Sequence, residues 1–338
     1  MKVTTLGIDI AKSVFALHGV DDRGRTVLQK SVTRAKFLET VAKLSPCTIG
    51  MEACGGAHHW AREFEKMGHT VKLMHAKYVK PYVKTHKNDG RDAEAICEAT
   101  GRPNMRFVPV KTVAQQELSA LLSMRALLVK QRTALVNHIR GLLTELGLVF
   151  PRSPQKALSG LARLLDPENP MLSPFAKELF GTLKDQFQEI EGRIALCDDR
   201  ILRVHRAHPV CQRLSRIPGI GPVTAVALVA TLPGITFFEN SRHLSAWLGL
   251  VPRQASSGGK TRLGRISKRG DKMLRTLLIH GARSVVRLAD RRTDPLGCWI
   301  RRLKTERGAN KAAVALANKT ARVVWALLAR DQEYKRPA

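Results

Sequence analysis

The chain has 338 residues, a formal net charge of +29 and a pI near 10.6. Hydrophobic residues make up 44%, which excludes a wholly disordered chain and allows two or three ordinary domains. The charge excess excludes indifference to polyanions: phosphate neutralisation and counterion release favour nucleic acid as partner.

The excess is concentrated in the last quarter, where residues 251–338 hold 22 Lys and Arg against 6 Asp and Glu. A basic C-terminal region laid on nucleic acid is the natural inference. The six cysteines, Cys47, Cys54, Cys97, Cys197, Cys211 and Cys298, form no C-x-x-C pair. That argues against structural zinc and for a reducing, intracellular setting. The opening MKVTTLGIDIAK lacks a signal-like apolar run, and no stretch reads as the ~20 apolar residues of a membrane span. The expectation is a cytoplasmic protein.

Residues 2–10 read as a buried strand through Val3, Leu6, Ile8 and Ile10. Asp9 sits inside it, and a carboxylate in a core strand needs a reason. VFALHGV (14–20) and TVLQKSV (26–32) are strands joined by the turn-rich DDRGR. KFLETVAKL (36–44) is helical in pattern. CTIGMEA (47–53) is a short strand ending near Glu52, HHWAREFEKMG (58–68) an amphipathic helix stopped by glycine, and TVKLMHA (70–76) another strand. A basic connector over 77–87 leads to NDGRDAEAICEATG (88–101), a helix that begins with Asp89 and Asp92 three residues apart on one face. Negative charge is favoured at that end of a helix.

The order β-β-β-α-β-α-β-α can gather Asp9, Glu52, Asp89 and Asp92 at one edge of a mixed sheet. Four clustered carboxylates repel unless divalent cations lie between them, and oxygen-only ligands favour Mg²⁺ or Mn²⁺. Such a site could clamp the attacking and leaving oxygens of a phosphodiester. Taken singly, Glu52 also reads as a strand-end surface charge, and the two aspartates as plain helix-start residues. Asp9 is the hardest to explain that way.

Residues 112–147 form a long helical pattern in which Leu121, Leu128, Leu135 and Leu142 repeat every seven, as do Leu122, Val129, Val136 and Leu143 one step on. A Pro-rich break follows, FPRSPQKALSG at 150–160 and then DPENPMLSP at 166–174. A second long helix runs from 175 to 207, with Phe180, Phe187, Ile194 and Ile201 on one heptad position and Leu183, Ile190, Cys197 and Val204 on another. This predicts a coiled coil with a structural, oligomerising role.

In LSRIPGIGPVTAVALVATL (214–232), Gly219 and Gly221 lie in a turn before an alanine-rich helix. The pattern fits a helix-hairpin-helix, whose turn offers backbone N–H groups to a DNA phosphate without reading sequence. A pure packing element is the plainer reading. HLSAWLGLVP (243–252) reads as a short buried helix. It leads into VPRQASSGGKTRLGRISKRGD (251–271), where Ser256 and Ser257 precede Gly258 and Gly259. Around them lie Arg253, Lys260, Arg262, Arg265, Lys268, Arg269 and Lys272. Hydroxyls on a glycine turn ringed by cations suggest a phosphate site, with a solvated basic loop as the plain alternative. A helix over 271–289 carries Lys272 and Arg275. A basic loop with Arg291, Arg292, Arg301 and Arg302 follows, then an apolar helix over 312–330. Aromatics are only 5% and scattered, so no base-stacking platform is evident.

GIDIAK (7–12), MEACGG (51–56), KNDGRDAEAI (87–96), PGIGPVTA (218–225) and AWLGLVPRQASSGGKTRLGRISKRGDKMLRTLLIHGA (246–282) together resemble the IS110 family of insertion-sequence transposases. These are DEDD recombinases related to the Piv DNA invertase. The serine stretch looks most like the IS1111 branch. The resemblance implies an N-terminal RuvC-like (RNase H-like) domain over 1–110, a coiled-coil connector over 111–210 and a mainly helical C-terminal transposase domain over 211–338. It implies an acidic tetrad at Asp9, Glu52, Asp89 and Asp92 and a catalytic serine matching Ser257, with Ser256 one position away as the alternative. It further implies DNA as substrate, a structured bridge RNA as guide, a homo-oligomer (dimer or tetramer) and a bacterial or archaeal, nucleoid-associated setting.

The resulting expectation is a site-specific DNA recombinase. Mg²⁺ at the tetrad would polarise the scissile phosphate and Ser257 would attack it, with Gly219, Gly221, Lys260, Arg262, Arg265, Lys268, Arg269, Lys272 and Arg275 holding nucleic acid. One rival is a RuvC-like metal-dependent nuclease that uses water as nucleophile. The other is a basic binding protein without catalysis.

Overall fold

A computed structural model describes residues 2–84, 88–151 and 153–335. The end of the predicted basic connector, Thr85 to Lys87, and Arg152 of the Pro-rich break lie outside the described residues. The chain divides into two compact units, residues 1–112 and 113–338.

The first unit is a mixed sheet with helices on both faces. It runs β1 (Thr5–Asp9), β2 (Val14–Val20), β3 (Thr26–Thr33), α1 (Arg34–Ala42), β4 (Thr48–Glu52), α2 (Ala57–Lys66), β5 (Thr70–Met74), α3 (Ala76–Val79), α4 (Asp89–Thr100) and β6 (Phe107–Val108). The strand order is β3-β2-β1-β4-β5-β6. β1, β2 and β3 form an antiparallel meander, while β1, β4 and β5 are parallel. This six-stranded order is compatible with the RNase H-like expectation. One face packs an aromatic cluster: Phe15 of β2 stacks on Phe37 of α1 at 4.0 Å, and Trp60 of α2 meets both edge-on.

The other face carries α4, and two glycines let it in. Gly7 of β1 and Gly50 of β4 are register partners. A Cβ on Gly7 would sit 2.2 Å from the Ala93 carbonyl oxygen, and one on Gly50 would sit 1.7 Å from Thr100 Oγ1. The bare backbone there is the seat on which α4 rests. Two features of this unit add to the expected order. The basic connector is partly helical, with α3 and a 3₁₀ turn over Lys80–Tyr82. The short β6 pairs antiparallel with β5, and two residues are too few to leave a periodic signal.

The second unit is mainly helical: α5 (Val113–Glu145), α6 (Pro154–Leu164), α7 (Pro174–Ala207), α8 (Pro209–Ser215), α9 (Pro222–Thr231), α10 (Ser241–Trp247), a hairpin of β7 (Pro252–Gln254) and β8 (Leu263–Ile266), α11 (Lys272–Arg287), α12 (Pro295–Arg307) and α13 (Ala309–Ala329). α5 and α7 share a core of Leu128, Ile190, Ile194 and Cys197. Arg125–Asp198 and Arg132–Glu191 ion pairs cross between them at 2.5 and 2.8 Å. The buried positions on α5 drift off the leucine heptad, since Leu128 is buried but Leu142 is 39% exposed and Leu143 takes its place inside. A 3.6-residue helix rotates about 20° per heptad against a 3.5 repeat.

Two predicted irregular regions are helices. α6 occupies the Pro-rich break, and its Pro154 stands at the first helical turn, where proline is tolerated. α12 holds Arg301 and Arg302 in place of the predicted basic loop; its start is the Asp294–Pro295 pair, with Asp294 accepting the Gly297 N–H at 2.8 Å. α13 is long and apolar enough to cross a membrane. Its inner face, including Ala313, Ala317 and Val324, is buried in the unit's main core with α9 and α11.

Candidate active site

The acidic cluster is built at the end of β1. Asp9 is the last residue of that strand, directly after the buried Ile8. Because α4 lies along the Gly7–Gly50 seat with Cys97 near Thr5 and Ala93 near Gly7, its first turn reaches the Asp9 end of β1. Asn88 caps α4 by accepting the Arg91 N–H at 2.9 Å. Asp89 and Asp92 occupy that first turn, where the helix dipole favours negative charge. Carboxylate oxygens of Asp9, Asp89 and Asp92 lie within 4.8 Å of one another.

Glu52 is the last residue of β4, one step beyond the Ile8–Met51 pairing. It therefore stands beside Asp9 on the neighbouring parallel strand, outside the tight group of three. Cys54 lies on the surface just after it. Its thiol is pushed above the ordinary range by partial burial first and then by the charges of Glu52 and Asp9. Nothing in the residue pattern marked Cys54 as part of this neighbourhood.

The serine stretch, read as a loop, is a β-hairpin. Ser257 and Lys260 form an antiparallel bridge, and the Lys260 N–H donates to the Ser257 carbonyl at 3.1 Å. Between them Gly258 has φ 55° and Gly259 φ 73°. Two consecutive positive φ values in a two-residue loop match a type I′ turn, which follows the twist of the flanking strands and strongly prefers Gly-Gly. A Cβ on either glycine would meet nothing within 4 Å, so backbone conformation sets these residues. The Gly-Gly pair between two strand-capable runs was the available signal; the density of charge obscured it.

The hairpin separates the two serines. Ala255 N–H donates to the Arg262 carbonyl at 3.0 Å, continuing the ladder from the Ser257–Lys260 bridge. Cross-strand partners share a face and neighbours along a strand alternate. Ser257 therefore shares its face with Lys260 and Arg262, and Ser256 lies on the opposite one. There the Ser256 hydroxyl accepts from Gln254 Nε2 at 2.9 Å. Lys260, Arg262, Arg265, Lys268, Arg269 and Lys272 are all exposed.

Arg275 differs from them. It is only 8% exposed, and its Nη1 donates to the Arg269 carbonyl at 3.0 Å and the Leu248 carbonyl at 3.2 Å, with those of Gly270 and Asp271 at 3.4 Å. This guanidinium holds the root of the hairpin together from inside, in place of the predicted outward contact. Gly219 also has a packing reason. A Cβ there would come within 2.9 Å of the Gly281 carbonyl oxygen of α11. Gly221, just before α9, has open space around it.

Family profiles match both regions. One described as "Transposase IS116/IS110/IS902 family" covers residues 211–295, and an IS110-type DEDD transposase profile covers 6–148. The chain is 47% identical to a protein named probable family 20 transposase from Pseudomonas aeruginosa, over 99% of both chains. The chain belongs to the IS110 family of transposases. Within that family it is 46% identical to the transposase for insertion sequence element IS1111A of Coxiella burnetii, over 98% of this chain and 92% of that one. A pilin gene-inverting protein of Moraxella lacunata is similar at a greater distance, 24% identical over 76% of this chain and 75% of its own. As an IS110-family transposase the chain is an enzyme that acts on DNA, and its acidic group falls within the DEDD profile.

Proposed function

We propose that this transposase is a site-specific recombinase that cuts and rejoins DNA through a covalent serine link. The observation that carries the reading is the convergence of Asp9, Asp89 and Asp92 within 4.8 Å in a DEDD transposase. The donor set is all oxygen and anionic, which fits Mg²⁺ or Mn²⁺. Asp9, Asp89 and Asp92 would hold the cation, with Glu52 beside them. When bound, it supplies Lewis-acid stabilisation of charge on the phosphate.

Ser257 Oγ forms the new bond to phosphorus as the bond from phosphorus to one strand's terminal oxygen breaks. The serine gives up its proton and the leaving oxygen gains one. The phosphoserine keeps the phosphodiester linkage available for rejoining. Ser257 is favoured over Ser256 because it shares a face with Lys260 and Arg262, whose charges can hold the phosphate, while the Ser256 hydroxyl is engaged by Gln254. Arg265, Lys268, Arg269 and Lys272 neutralise neighbouring phosphates.

α5 and α7 act as a coiled-coil connector between a RuvC-like domain and the transposase domain, and they oligomerise through exposed Leu127, Leu146, Phe175 and Leu196. α8 and α9 act as a helix-hairpin-helix that meets a DNA phosphate through the turn at Gly221. A bridge RNA guides site choice in a cytoplasmic, nucleoid-associated complex, and the +29 charge supports binding to a polyanion such as RNA.

The test traps strand cleavage on radiolabelled element-end DNA with Mn²⁺. Wild type and Ser256→Ala are expected to yield a protein–DNA adduct; Ser257→Ala and Asp9→Asn are expected to yield none. An adduct retained in Ser257→Ala removes Ser257 as nucleophile. Free DNA ends with no adduct in wild type would favour a water nucleophile.

A further inference from the structure

The C-terminal unit carries a second feature, on the side of the hairpin root. A groove of 1230 Å³ opens between the hairpin and α13, larger than the usual small-molecule pocket of about 300–1,000 Å³. One wall is Pro252, Gly264 and Ile266 of the hairpin strands. The other is the Val314, Ala315 and Val323 face of α13. Trp299 of α12 also lines it, half-buried.

The rim is cationic. Arg265, Lys311, Lys319 and Arg322 all line the groove, all are exposed, and no carboxylate is among the lining residues. Among the described residues none of the four forms an ion pair, although other cations of this unit do, such as Lys304 with Asp290 at 2.8 Å. The Lys319 ammonium rests 4.7 Å from the Trp299 ring centroid. An exposed cation on an indole face is a weak contact that an aromatic ligand can replace.

We propose that this groove seats unpaired DNA, with a base stacked on Trp299 and the flanking phosphates on Arg265, Lys311, Lys319 and Arg322. The apolar walls suit base faces, and the uncompensated charge suits phosphates. A metabolite anion would need one or two cations, whereas four spread along a groove match a strand. An acidic peptide would meet the charge but leaves the indole face without a planar partner. DNA is the occupant argued here because the hairpin whose strands form one wall also carries Ser257, beside its turn, so the proposal rests on the recombinase reading. It places single-stranded character in the DNA next to the serine. The scattered aromatics gave no hint of this, because one tryptophan is enough where the fold lines its surroundings with cations.

The test uses the full chain and fluorescence anisotropy of a labelled 12-nucleotide single strand. Trp299→Leu keeps apolar volume and Trp299→Phe keeps an aromatic face; melting curves check that both fold. Trp299→Leu is expected to weaken the DNA strand roughly 5- to 100-fold, Trp299→Phe to recover most of that, and duplex binding to change little. A strand of abasic units should bind wild type and Trp299→Leu alike. The proposal is overturned if Trp299→Leu has no effect on the DNA strand, weakens the abasic strand or the duplex equally, or weakens only an RNA strand of the same sequence. A loss of binding to an acidic peptide in place of DNA would overturn it too. Each measurement is of binding alone, so it stands whether or not Ser257→Ala abolishes the adduct.

Discussion

A guanidinium buried against carbonyl oxygens is not placed to meet a phosphate, and that is the position of Arg275. Its sequence context, seven residues after Lys268 in a basic run, is the same as that of its exposed neighbours. Only the fold tells them apart. Arg275→Lys keeps the charge but puts an ammonium on a shorter stem, short of the position where Arg275 Nη1 meets its carbonyls. It is expected to cost about 1.5–3 kcal/mol of stability, the range for hydrogen bonds to charged groups, seen as a lower denaturation midpoint. The salt dependence of DNA binding should stay as in wild type. Arg262→Ala should do the reverse, keeping stability and lowering the slope of log K against log salt by about 1. Equal slopes in Arg262→Ala and wild type would remove Arg262 from the phosphate contacts.

At the scale of elements, the hairpin makes its own demand. Gly258 and Gly259 both have positive φ, a region that β-branched residues rarely enter. Gly258→Asn should be tolerated, because Asn-Gly is a favoured type I′ pair. Gly259→Val should break the Ser257–Lys260 register and lower adduct yield at least as strongly as it lowers DNA binding. Full adduct yield in Gly259→Val would mean that the turn does not position the serine. The strands and long helices were legible in the sequence because their periodicity is strong; β2 runs over the same residues, 14–20, that the pattern predicts. The three aspartates were legible because acids at a strand end and a helix start point to one edge. What escaped was set by contacts distant in sequence. The cause of Gly219 is Gly281, and the groove beside the hairpin needs α12 and α13 to form. Charge also misled, since a helix start at Asp294–Pro295 was hidden inside a run of arginines.

For the molecule as a whole, acidity should loosen the N-terminal unit. Burial lowers His18, His58 and His69 below the ordinary 6.5, and for His18 nearby Glu94 partly opposes the shift. These rings take up a proton less readily in the fold than in the unfolded chain, so the unfolded state binds more protons as pH falls. The stability they contribute is in place above pH 6.5 and is lost as pH drops through that value toward the folded pKa. Tm should therefore fall between about pH 7.5 and 5.5. His18→Met, which also removes a buried Nδ1 without a hydrogen-bond partner among the described residues, should flatten that slope. A Tm that holds steady or rises on acidification would contradict the sign. The seat of α4 reaches furthest. Gly7 and Gly50 carry no chemistry, yet a methyl group on Gly7 would meet the α4 backbone at 2.2 Å and lift Asp89 and Asp92 away from Asp9. Mobile elements leave many decaying copies, commonly sorted by whether the catalytic letters survive. By that clash, a copy with every acid and the serine intact, but any side chain at position 7, should be inert in a strand-cleavage assay.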